Sequence, residues 1–235
     1  MAARNNTATK RARQPIRLPR LPNYYYEQQA WASGHHLVAG VDEAGRGAWA
    51  GPIVAAAVML PVEPERRAAL SRALTRFGIS VNDSKKLLPE QRELVVQLLD
   101  AYCIEYAVAV ISVEEIDARG VGYANAVALR EAALGLRCRP QFVLSDAFRL
   151  PDYPGRQQAL IKGDCRSRSI ALASTVAKVT RDRLMVECDW QYPGYGFARH
   201  KGYGTAEHRA ALLTLGPCPL HRRSFAPVQA CIGAG

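Results

Sequence analysis

Three short apolar runs in this chain end on acidic residues, and that repeated arrangement constrains the fold more than any other feature. Leu37 to Asp42 runs into Asp42-Glu43, Gln141 to Leu144 leads to Asp146, and Ala159 to Ile161 leads to Asp164. Runs of this length bounded by turn residues read as buried strands. A carboxylate at the end of such a strand is costly unless it is paired or bound to a cation. Strand ends that lie side by side in one sheet would bring these carboxylates together.

The rest of the chain supplies the other layers. Ile53 to Leu60 is a second apolar run, separated from the first by the glycine-rich turn Ala44-Gly45-Arg46-Gly47, so the two read as adjacent strands; Cys103 to Ile111 is also strand-like. Leu88 to Tyr102 (with Pro89 in the first turn), Val121 to Leu136, Ser169 to Met185 and Thr205 to Leu215 have helical spacing. Strands first, then strands alternating with helices, predict an α/β domain with a mixed sheet of about five strands. This domain is expected over residues 36–235, behind an N-terminal arm over 1–35. The arm is basic and largely disordered over residues 1–22, with a short helix near Tyr24 to Trp31 packing on the domain edge.

Charge is distributed unevenly. Residues 1–36 carry six Lys/Arg against Glu27 alone, residues 37–146 carry twelve against fourteen acids, and residues 147–235 carry thirteen against six. Basic ends around an acid-containing centre suit a polyanion such as nucleic acid. No apolar run reaches the length of a membrane span, and Met1 to Trp31 holds no apolar signal core. The cytoplasm is therefore the expected compartment, with no membrane partner and a monomer as the default. Cys103, Cys138, Cys165, Cys188, Cys218 and Cys231 lack zinc-ribbon or redox-pair spacing and read as free thiols.

Oxygen donors of the kind offered by Asp42, Glu43, Asp146 and Asp164 suit Mg²⁺ or Mn²⁺ rather than zinc. Two such ions about 4 Å apart could activate a water and stabilise the leaving oxygen of a phosphodiester. The alternative use of each aspartate is to cap a loop or helix, and Asp164, just before a helix, is the best candidate for that. A regular strand also points Asp42 and Glu43 to opposite faces. Either the strand ends at Asp42, or Glu43 contributes through its carbonyl.

Five ordered blocks carry a resemblance. Gly40-Val41-Asp42-Glu43-Ala44-Gly45-Arg46-Gly47, Asp83-Ser84-Lys85-Lys86-Leu87, Lys162-Gly163-Asp164 with Ser169-Ile170-Ala171 through Ala177-Lys178-Val179-Thr180-Arg181-Asp182, His200-Lys201-Gly202-Tyr203-Gly204-Thr205 and His221-Arg222-Arg223-Ser224-Phe225 occur in that order. Over roughly residues 38–228 the chain resembles the bacterial ribonuclease HII family. The resemblance implies a ribonuclease H-like sheet with a helical C-terminal extension, and an endonuclease acting on RNA–DNA hybrids and on DNA duplexes containing ribonucleotides. It implies a catalytic, metal-binding set of Asp42, Glu43, Asp146 and Asp164. It also implies that Gly45, Arg46 and Gly47 read the 2′-hydroxyl and that Tyr203 stacks on the following deoxyribose. Lys85 and Lys86 look like phosphate contacts, while His200, His208 and His221 are given structural use. One departure stands out: Asp146 lies in Leu144-Ser145-Asp146-Ala147, where the family usually has an apolar residue before the acid and glycine after it.

Three other readings compete. A nuclease for all-DNA substrates on the same fold would have no purpose for the glycine turn and Tyr203. A hybrid-binding module without catalysis would have lost acids that are all present. The sister ribonuclease HIII type carries an N-terminal domain that an arm of this length does not supply.

Overall fold

The structure, a computed structural model, describes residues 18–81 and 84–232. The strands are β1 (Val38–Ala44), β2 (Ile53–Met59), β3 (Glu105–Ile111), β4 (Phe142–Asp146) and β5 (Arg156–Leu160). The helices are α1 (Tyr25–Ala32), α2 (Pro64–Arg76), α3 (Pro89–Ala101), α4 (Val113–Arg119), α5 (Val121–Leu134), α6 (Arg168–Gln191), α7 (Phe197–His200), α8 (Ala206–Leu215) and α9 (Ala226–Ile232). The strands form one mixed sheet in the order β3-β2-β1-β4-β5. β1, β2 and β3 pair antiparallel; β4 lies parallel to β1 and β5 parallel to β4.

Both faces of the sheet are covered, which explains why β2 is buried throughout. Its side chains alternate between two cores. Ala56 and Val58 pack with α2, α3 and α6, whereas Ala55 and Ala57 pack with α5. The long helix α6 crosses β1 so closely that a Cβ on Gly40 would sit 2.3 Å from the Ile170 backbone nitrogen. Only glycine fits there, and this contact sets α6 against the end of β1.

The N-terminus of α6 is capped twice. Ser167 accepts from the Ile170 amide, and Glu27 on α1 accepts from Ser167 Oγ (2.6 Å), the Ser169 amide (2.9 Å) and Ser169 Oγ (2.7 Å). A carboxylate there complements the positive end of the helix dipole. Glu27 is fully buried, so residues 25–32, counted with the arm in the sequence reading, belong to the packed body. Residues 1–17 of that arm lie outside the described residues. Among the described residues no helix is long and apolar enough to cross a membrane.

Candidate active site

β1 and β4 run parallel up to the pairing of Val41 with Ser145. One residue further, Asp42 and Asp146 stand next to each other, and there β4 stops while β1 continues to Ala44 along β2. The edge of β1 beyond Asp42 is thus open on the side that β4 has left. A cleft of about 740 Å³ opens at this point, lined by Asp42, Glu43, Asp146 and Asp164, by Gly45, Arg46 and Gly47, and by Tyr203, with Ser174 and Lys178 from α6 on its wall. Lys86, exposed in a 3-10 turn over Ser84–Lys86, is not among the lining residues. The side chain of Lys85 and all of Asp83 lie outside the described residues.

Of the two alternatives read from the sequence, the strand does not end at Asp42. β1 stays regular past Asp42, and the two carboxylates do point to opposite faces: Asp42 is held by Ser174 on α6, Glu43 by Asn125 on α5. Both nevertheless line the cleft, because it opens at the strand's edge rather than over one face. Asp164 is not a helix cap. Its Oδ1 accepts from the next amide, Cys165 N (2.8 Å), while Ser167 caps α6. Asp146 Oδ1 accepts from Gly163 N (2.6 Å), which ties the end of β4 to the turn carrying Asp164.

The residues flanking Asp146 explain the departure from the family pattern. Ser145 is fully buried and donates to the Phe148 carbonyl (2.5 Å), so its hydroxyl is satisfied. Ala147 sits at φ +58°, a left-handed conformation that glycine adopts freely and alanine at a cost of roughly 1–2 kcal/mol.

Electrostatically the cleft is unfavourable as it stands. Burial, followed by the charges of Glu43 and Asp146, holds Asp42 well above the usual carboxylate range. Burial and then the Asp146 charge push Glu43 up to about 7, with Arg46 opposing. Glu43 Oε2 is buried without a hydrogen-bond partner. Converging carboxylates with an orphaned oxygen and a purely hard-oxygen donor set fit a divalent cation. The side chains are not drawn into a closed coordination shell among the described residues; Gly163, Ser174 and Asn125 each hold one acid at the wall of an open cleft.

A second set of buried charges supports the loops around the cleft. Arg181 on α6 donates to the carbonyls of Pro52 (2.9 Å), Lys201 (2.8 Å) and Ala50 (3.0 Å). It lies directly under Gly45, whose φ is +90° and whose added Cβ would fall 1.8 Å from Arg181 Nε. A methyl on Gly47, in contrast, would meet no protein atom within 4 Å. Folding therefore demands glycine at 45 and makes no steric demand for it at 47, on the exposed cleft side.

Tyr203 is carried by a chain of histidines with defined tautomers. The Cys218 amide donates to His221 Nδ1 (3.0 Å), leaving His221 Nε2–H to donate to His208 Nε2 (3.1 Å), and His208 Nδ1–H to donate to the Tyr203 carbonyl (3.0 Å). Burial pushes both His208 and His221 down to about 4, so they are neutral at pH 7.

The sequence reading gave no role to Ser174, Lys178, Arg181, Asn125 or Arg222. The spacing 174, 178, 181, 185 marks one face of α6, and Asn125 is a lone amide in an otherwise apolar helical pattern; both signals were available.

A mixed β3-β2-β1-β4-β5 sheet with carboxylates gathered at the ends of its central parallel strands defines a nuclease of the ribonuclease H fold class. The ribonuclease HII family profile matches residues 39–228. The chain belongs to the ribonuclease HII family, and is therefore an endoribonuclease, a hydrolase. It is 47% identical over 204 residues to a ribonuclease HII of Desulfitobacterium hafniense (86% of this chain, 74% of the relative). To that of Chloroflexus aggregans it is 47% identical over 208 residues, covering 88% and 94%. Among solved structures, ribonuclease H2 from Pyrococcus horikoshii superposes with a TM-score of 0.67 at 28% identity, over 84% of this chain and 97% of that one.

Proposed function

We propose that the protein hydrolyses the RNA strand of RNA–DNA hybrids and cuts on the 5′ side of single ribonucleotides within duplex DNA, leaving 3′-hydroxyl and 5′-phosphate ends. The observation that carries this reading is the shared cleft, in which the four carboxylates face an exposed glycine turn and a half-buried tyrosine. Only the 2′-hydroxyl separates RNA from DNA at one position, and the exposed Gly47, with no side chain on the cleft side, lets a ribose approach a backbone that Gly45 keeps seated over Arg181.

Asp42, Glu43, Asp146 and Asp164 would hold Mg²⁺ or Mn²⁺, taken here as two ions. Bound there, the ions supply an activated water and neutralise charge on the phosphate. The remaining roles belong to the chain. Ser174 and Asn125 fix the directions of Asp42 and Glu43, Gly163 fixes Asp146, and Tyr203 offers a flat ring to the sugar after the ribonucleotide. Lys178, hydrogen-bonded to Asp182 (2.7 Å), places a cation beside the cleft for the phosphate backbone, and Lys85 and Lys86 are proposed as further phosphate contacts.

The test is a set of three end-labelled duplexes: an RNA–DNA hybrid, a DNA duplex with one ribonucleotide, and all DNA, each with Mg²⁺, with Mn²⁺ or with chelator. The reading expects metal-dependent cuts in the first two, the second at one site 5′ of the ribonucleotide. Cleavage of the all-DNA duplex at a comparable rate would overturn it.

A further inference from the structure

Arg222 is fully buried, yet its hydrogen bonds go to carbonyl oxygens rather than to a carboxylate. Its Nη1 donates to Arg46 O (2.9 Å), its Nη2 to Gly45 O (2.8 Å) and Gly51 O (2.7 Å), and its Nε to Gly51 O (3.0 Å). Desolvating a guanidinium without a carboxylate bonded to it is expensive, and burial pushes this one down to about 9 despite the nearby Asp117 charge. A leucine would fill the space without that cost. What the guanidinium supplies is direction: a rigid fork that fixes three carbonyls at once.

Two of those carbonyls belong to the glycine turn. In a planar trans peptide the N–H points opposite to the C=O. With the Gly45 and Arg46 carbonyls turned inward onto Arg222, the amides of Arg46 and Gly47 must point outward. The turn is closed by Ala48 N donating to Gly45 O (3.2 Å), and among the described residues neither outward amide donates to a backbone carbonyl. Both residues are exposed and line the cleft.

The segment that delivers Arg222 is itself clamped. Asp117 on α4 accepts from the amides of Arg223 (2.8 Å) and Ser224 (3.0 Å) and from Ser224 Oγ (2.5 Å). The Arg222 amide donates to Trp49 O, and the Gly51 amide to Leu220 O, both at 2.8 Å. The C-terminal turn thus grips the glycine turn from behind through a backbone ladder and one side chain.

From this we infer that Arg222 is a positioning residue for ribose recognition: it presets the Arg46 and Gly47 amides as a pair of donors facing the cleft, and Asp117 holds Arg222 in place. This rests on the hybrid-cutting reading above. Arg222 touches no substrate; it acts through the turn.

The test measures binding of two duplexes, identical except for one ribonucleotide against one deoxyribonucleotide, by wild type, Arg222→Lys and Asp117→Asn. Thermal melts are recorded alongside. Arg222→Lys keeps the charge but cannot reach three carbonyls, so the preference for the ribonucleotide should fall about tenfold, the equivalent of one lost hydrogen bond. Asp117→Asn, partly exposed and not among the cleft-lining residues, should lower the same preference by a smaller factor. A folded Arg222→Lys protein that binds both duplexes more weakly with an unchanged ratio would overturn the inference, since that marks a merely structural arginine. If Arg222→Lys does not fold, an unchanged ratio in Asp117→Asn overturns it instead. Wild type without any preference would overturn the hybrid-cutting reading itself, which separates the two failures.

Discussion

Two buried charged clusters meet at the glycine turn, one anionic and one cationic, and they are satisfied in different ways. Arg181 and Arg222 direct every hydrogen bond at backbone carbonyls. The neighbouring histidines are neutral and joined in a one-way chain. Glu43 and Asp146 add to the raised proton affinity of Asp42, Asp146 adds to that of Glu43, and Glu43 Oε2 has no hydrogen-bond partner. The cationic cluster is satisfied by the protein's own carbonyls, whereas the carboxylates crowd together with one buried oxygen unpaired. The difference fits the first to holding loops and supports the proposed role of the second in metal-dependent cleavage.

The largest effect is expected at the acids. Asp42→Asn preserves shape and removes a proposed metal-holding carboxylate, so turnover on a single-ribonucleotide duplex should collapse by several orders of magnitude while hybrid affinity survives. Single-turnover rates and binding titrations on the same variant check this. Equal losses in both would make Asp42 structural and erase the contrast.

Arg181→Met should do the reverse, acting on stability first. Three carbonyls, at Pro52, Lys201 and the buried Ala50, lose their donor at about 1–3 kcal/mol each before relaxation, so the melting temperature should fall on the order of 10 °C. Calorimetry measures it. A fall no greater than that of an exposed substitution would contradict the view that this cluster holds the loops.

Stability against pH separates the clusters by sign. Glu43 is raised in the folded state to about 7, so with chelator present its protonated form favours folding at low pH, and that contribution is lost as pH rises from the unfolded carboxyl range through 7. His208 and His221 are depressed to about 4. Below their ordinary value of 6.5 the unfolded chain binds protons that the folded one refuses, so stability falls as pH drops from about 6.5 toward 4. Melts from pH 4 to 8 on wild type and Glu43→Gln should show the loss on the alkaline side flattened in the variant and the loss on the acid side unchanged. Identical profiles would contradict the assignment to Glu43.

The smallest effect concerns the left-handed bend at Ala147, just after Asp146. Ala147→Gly should relieve left-handed strain and stabilise by about 0.5–1 kcal/mol, less than the strain itself because glycine loses more freedom on folding. Cleavage rates should stay at the wild-type level.

How far the sequence could be read follows the same division. The acid-tipped runs were legible because a carboxylate after an apolar run violates burial rules, and the strands β1, β4 and β5 lie where those runs predicted, within a few residues. Hydrophobic periodicity also located α3, α5, α6 and α8. It passed over α2, whose buried residues Leu70, Ala73 and Leu74 are diluted by arginines, and it stopped α6 at Met185, where the polar Glu187 and Asp189 hide a helix that runs on to Gln191. The joint access of Asp42 and Glu43 to one cleft was not legible, because it depends on where β4 ends, and a strand's own pattern does not record its neighbour's length. The buried arginines were missed for a related reason: their partners are carbonyls, which every residue has, so no pairing appears in the letters.

The account stands on the acids being a divalent-cation site. Titrating Mn²⁺ into the protein, with free ion followed by electron paramagnetic resonance, tests that without any substrate. Wild type should bind Mn²⁺ saturably, and the double variant Asp42→Asn, Glu43→Gln should lose that binding while still melting cooperatively. A double variant that binds Mn²⁺ as wild type does would place the cation elsewhere and contradict the account.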